Sequence, residues 1–196
     1  MSQLYTIIVP DSGPLLTLLA ANSLELLTRP GIQVLVPDGV YFETVRYPHM
    51  PGADDIVQWA KQAGDLVRIV PTETNAEAQQ YLTNNPDKKR RRGLGEQCAL
   101  EVVNDQSLAH PGTKSMLIYE DSDVTGLRLV RPNDVDTITT SDFLHLLEEA
   151  RLIQSADHIL DTAVAGGRPA HVRTLSSDLD LSTQAQFLAN RSGRGR

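Results

Sequence analysis

Four short apolar runs, each followed by sequence able to form a helix, constrain this chain more than any other feature. "YTIIVP" (Tyr5–Pro10) leads into "GPLLTLLAANSLELL", and "IQVLVP" (Ile32–Pro37) leads into "DGVYFETV". "LVRIV" (Leu66–Val70) leads into "ETNAEAQQYL", and "SMLIY" (Ser115–Tyr119) leads into "DVTGLRL". Short β-branched runs alternating with helical patterns describe βαβ units around a parallel sheet. "LRLV" (Leu127–Val130) is a candidate fifth, edge strand. The expected fold is α/β: a three-layer sandwich with a mostly parallel sheet of four to five strands flanked by helices. Extra C-terminal helices follow, "TTSDFLHLLEEARLI" and "SADHILDTAVAGGR", with Thr140 or Ser141 and Ser155 as starting caps and Gly166-Gly167 as the stop. These two read as packing elements. Residues 1–168 form the expected domain, and 169–196 an extension with a flexible basic end.

A chain of 196 residues suits one such domain. Its single cysteine, Cys98, allows no internal disulfide and suits a reducing compartment. No apolar stretch approaches the roughly 20 residues that cross a bilayer, and the start lacks a signal-peptide pattern. The expectation is a cytoplasmic protein with no membrane partner. A net charge of −7 argues against binding nucleic acid through an overall basic surface. The charge is uneven, however: Lys88, Lys89, Arg90, Arg91 and Arg92 form an unbroken basic run able to hold a phosphate backbone beside a cation-filled acidic site. The competing reading of that run is a solvated loop.

Acids gather where the strands end. Asp11 ends the first, Asp38 the second, and Glu120, Asp121 and Asp123 the fourth. In open parallel sheets, sites form at the carboxyl ends of the strands, near the switch in winding. Asp38 reads as the cap of the helix it opens. Asp11 is either a helix cap or a site residue, since Asp and Ser both accept hydrogen bonds from free N–H groups. With about 100° per helical residue, Glu43 projects about 60° from Val40, on the margin of an apolar face. In "GLGEQCALEVV" the same rule puts Glu96 about 20° from Val103, on the edge of an apolar stripe, and Glu101 about 130° from its centre, as a surface charge. Glu96 also reads as a first-turn glutamate favoured by the helix dipole.

Asp11, Glu43, Glu96 and Asp121 together ask for more than separate caps. Clustered carboxylates repel, and a fold keeps several together mainly around a cation. Oxygen donors select Mg²⁺ or Mn²⁺ over zinc. The five histidines are scattered without zinc-site spacing, and no GxxxxGK[ST] loop is present. A receiver-type phosphoacceptor would need an adjacent acidic pair at the first strand end, and a dehalogenase-type phosphatase an aspartate where Gly13 stands.

"VPDSGPLLTLL", "VPDGVYFETV", "GLGEQCAL" and "LIYEDSDV", in this order, resemble the four acidic motifs of PIN-domain proteins, including VapC-type toxin ribonucleases. The resemblance spans roughly residues 4–150. It implies a cleft in which Asp11, Glu43, Glu96 and Asp121 hold one or two Mg²⁺ or Mn²⁺ ions, with Asp123 as a further or water-mediated ligand and Ser12 in support. Glu120 competes with Asp121 and Asp123 for the fourth place. The implied reaction is hydrolysis of RNA phosphodiester bonds leaving a 5′-phosphate, with RNA as substrate, an antitoxin protein as partner and a homodimer as a common assembly. The alternative is a catalytically idle PIN-like module that binds RNA or protein.

Overall fold

In the computed structural model, the described residues are 5–45, 52–120, 134–174, 184–186 and 188–189. They build the expected α/β architecture. Strands β1 (Tyr5–Pro10), β2 (Gln33–Pro37), β3 (Val67–Val70), β4 (Lys114–Tyr119) and β5 (Val135–Thr139) form one sheet in the order β3-β2-β1-β4-β5. Every pairing is parallel. Between the strands run α1 (Ser12–Ala20), α2 (Asp38–Val45), α3 (Ala53–Gln62), α4 (Glu73–Asn84) and α5 (Leu94–Ala109). After β5 come α6 (Thr140–Glu149) and α7 (Ala156–Ala165).

Each central strand is buried on both faces, which is why its sequence is nearly continuous apolar rather than alternating. Ile8, Val34, Met116 and Ile138 join Leu15, Leu18, Phe143 and Leu147 in the larger core. Ile7, Val9, Leu35 and Leu117 point the other way, onto Ala99, Val102 and Val103 of α5. Helices on both faces of a sheet make the three layers. Val172, Ala185 and Leu188 are buried in the larger core as well.

The strand expected over Leu127–Val130 lies outside the described residues. Among the described residues, the strand beside β4 at the sheet edge is "VDTIT". Asp136 disguises that strand, but its carboxylate is satisfied by the Tyr5 hydroxyl and by Lys114 at 2.9 Å. The cap of α6 is Thr139 rather than Thr140 or Ser141. Thr139 accepts from the Asp142 N–H while Asp142 accepts from the Thr139 N–H, a reciprocal capping box. Ser155 caps α7 and Gly166 follows its last residue, as expected.

The chain winds outward from β1 through β2 to β3, then returns to place β4 on β1's other side. The reversal falls between the carboxyl ends of β1 and β4, where loops diverge and leave a crevice. α2 and α5 close over that end. A methyl group at Gly39 would sit 2.5 Å from Cys98 Sγ, so this glycine lets the two helices touch.

Candidate acidic site at the switch point

Asp11 is the residue that follows β1, and its N–H donates to Ile118 O at 2.9 Å, extending the β1–β4 ladder by one step. The backbone is therefore pinned at the reversal. Asp11 occupies the position before α1, yet its side chain makes no capping hydrogen bond. Ser12 lies inside the helix as its first residue. The Asp11 side chain is buried, 6% exposed as a residue, and its Oδ1 has no hydrogen-bond partner among the described residues. An orphaned buried carboxylate oxygen is costly, and that cost is expressed as a pKa pushed up to about 7. Burial is the main cause. The Ser12 N–H opposes it, and the charges of Glu96, Glu43 and Glu120 add to it.

The structure brings three of the expected acids together. Glu43 comes from α2 and Glu96 from the first turn of α5, both half-buried. Gly95 stands between them. A methyl group there would lie 2.7 Å from Glu43 Oε2 and 3.4 Å from Asp11 Oδ1, so both oxygens crowd one bare backbone position. Burial raises the pKa of Glu43, while the Arg90 guanidinium and the Gly95 N–H hold it down. Asp121 and Asp123 lie outside the described residues. Among the described residues, no three His, Cys, Asp or Glu side chains are arranged to hold a metal ion. The donor type still suits a hard divalent cation: oxygens only, accumulated negative charge, and one buried oxygen without a donor.

Glu120 follows β4 and is committed elsewhere. Arg168 donates to its Oε2 at 2.7 Å and Thr140 to its Oε1 at 2.6 Å. Arg168 also donates through Nε to Thr17 Oγ1 at 2.8 Å and through Nη2 to Gly13 O at 3.5 Å. One guanidinium thus joins the β4 end to the first turns of α1. Neither Arg168 nor Thr140 carries a local signal, because the partners are 48 and 20 residues away in sequence. The C-terminal segment thus also holds Glu120, through Thr140 and Arg168.

Two further acids differ from expectation. Asp38 caps nothing in its own helix. Its carboxylate accepts from Thr72 Oγ1 at 2.7 Å and Asn75 Nδ2 at 2.7 Å, bracing the start of α4. Glu101 is not a free surface charge, since it accepts from the N–H groups of Glu73 at 2.6 Å and Thr74 at 3.0 Å. Burial pushes its carboxyl up, but the Thr74 hydroxyl and those two N–H groups outweigh it and leave the pKa lowered.

The basic run divides. Lys88, Lys89, Arg91 and Arg92 are exposed, whereas Arg90 folds inward. Its guanidinium lies 4.5 Å from the centre of the Phe42 ring, and its Nη2 donates to Asn75 Oδ1 at 2.9 Å and to Gly39 O at 3.4 Å. Arg90 is thus a brace between α2 and α4 that also screens Glu43. No helix among the described residues is long and apolar enough to cross a membrane. No family model matches the chain, and no curated protein or solved structure matches it significantly.

Proposed function

We propose that this protein is a metal-dependent endoribonuclease that hydrolyses RNA phosphodiester bonds, acting as the toxin of a toxin–antitoxin pair. The observation that supports it most is Asp11 Oδ1: a buried carboxylate oxygen without a donor among the described residues, at the switch point, beside Glu43 and Glu96. Asp11, Glu43 and Glu96 would hold Mg²⁺ or Mn²⁺, with Asp121 completing the set. A divalent cation in such a place supplies water of lowered pKa and neutralises charge on the reacting phosphate. The chain's own contribution is positional. β1 and the ladder bond to Ile118 hold Asp11, Gly95 admits the Glu43 carboxylate, and the Arg90 guanidinium favours the charged form of Glu43. Arg168 and Thr140 keep Glu120 turned to their side of the cleft.

The second reading is a catalytically idle PIN-like binding module. The exposed cations Lys88, Lys89, Arg91 and Arg92 would serve it equally well. Incubation with single-stranded RNA in Mn²⁺ and in EDTA separates the two. The nuclease reading expects cleavage with 5′-phosphate ends in Mn²⁺ and none in EDTA. Binding without cleavage in both would favour the idle module, and undiminished cleavage in EDTA would refute the metal requirement.

A further inference from the structure

Beside the acids lies a groove of about 510 Å³, bounded by α4, the basic run and the start of α5. Its walls include Ala78, Tyr81 and Leu82 from α4, Lys89 and Arg91 from the basic run, and Leu94 from α5. Tyr81 is 54% exposed and lines the groove. The volume falls within the roughly 300–1,000 Å³ of small-ligand sites.

We propose that this groove is a nucleotide subsite for single-stranded RNA, in which a base stacks on Tyr81 while Lys89 and Arg91 hold the adjoining phosphates. The inference rests on the RNA reading above and extends it to a specific place. Charge complementarity selects the occupant. Lys89 and Arg91 are exposed cations that line the groove, on a chain whose net charge is −7. Among the described residues lining the groove, Glu77 is the one acid. An exposed ring set among cations is the arrangement that binds single strands, because every base offers a face to stack while the backbone needs positive charge. Ala78, Leu82 and Leu94 add apolar lining suited to a base and of little use to a phosphate.

The groove and the acids share two parts of the fold. Leu94 and Gln97 of the groove belong to the same first turns of α5 as Gly95 and Glu96. Arg90 lines the groove and also holds the Glu43 carboxyl down.

Fluorescence anisotropy of a short labelled oligouridylate, with the full chain in EDTA so that no cleavage intervenes, tests the proposal. Tyr81→Ala should weaken binding about tenfold or more with an unchanged salt slope, and Tyr81→Phe should bind within about twofold of wild type because the ring remains. The pair Lys89→Gln and Arg91→Gln should flatten the salt dependence, by about 0.7 in slope for each phosphate no longer neutralised. Wild-type affinity in Tyr81→Ala, or equal competition by polyglutamate, overturns the subsite. If Mn²⁺ nevertheless supports cleavage, the nuclease reading survives that failure. A Tyr81-dependent affinity without cleavage in Mn²⁺ has the opposite meaning: the subsite stands and the nuclease reading falls.

Discussion

Asp11 combines three properties that a helix cap does not need: burial, an oxygen without a donor among the described residues, and three neighbouring acids. Its carboxyl is raised from an ordinary value of 3.8 to about 7, so the folded protein binds a proton more tightly than the unfolded chain. The associated stability is present in full below about pH 4 and is lost as the pH rises toward 7. Asp11→Asn cannot titrate. Relative to wild type, the metal-free variant should therefore gain stability between pH 4 and 7, by about 1.4 kcal/mol for each tenfold difference in proton affinity between the folded and unfolded states, then hold a constant advantage above. Urea melts of both proteins at pH 5 and pH 8 measure this, and parallel behaviour would remove the case for a perturbed Asp11. Cleavage should move the other way. A transition-state loss of roughly 3 kcal/mol is more than a hundredfold in rate, so the same variant should be stable and nearly inactive.

At the scale of elements, the site is a meeting of ends: the carboxyl ends of β1 and β4 and the first turns of α1 and α5. Arg168, following α7, joins two of these ends by linking Glu120 to Gly13 and Thr17. The Glu120 side chain is only 6% exposed, which leaves its charge dependent on that guanidinium and on Thr140. Arg168→Gln should destabilise the protein by about 3 kcal/mol, since a buried charge loses its partner. Combining it with Glu120→Gln should recover much of that loss, because the orphaned charge is then gone too. Denaturant curves of the two single variants and the double variant decide it. Strict additivity would mean that the Arg168–Glu120 ion pair contributes no coupling.

For the whole molecule, placing acids at one end of a parallel sheet favours any cation that binds only the folded state. Millimolar Mn²⁺ should raise the melting temperature, by an amount growing with the logarithm of its concentration, and Asp11→Asn should reduce that rise. Scanning calorimetry with and without Mn²⁺ reads both effects, and equal melting temperatures would count against a cation site at Asp11. Strand runs, their parallel order of burial and the helical stripe of α5 were legible in local sequence, because apolar periodicity reports burial within a few residues. Asp11, Glu43 and Glu96 were legible for a related reason: each sits at a strand end or on the margin of an apolar face. β5 was hidden because Asp136 breaks its apolar pattern, and the charge is satisfied by Tyr5 and Lys114, more than 20 residues distant. The division of labour among the charged residues was equally hidden. Local pattern could not tell that Arg90 turns inward onto Phe42 while Lys89 and Arg91 stay exposed, nor that Asp38 and Glu101 brace α4, nor that Arg168 claims Glu120. Apolar residues are sorted by a periodicity that each segment carries within itself. A charge takes its role from whichever opposite charge or hydrogen-bond donor the fold brings against it, and that neighbour is chosen by packing across the molecule.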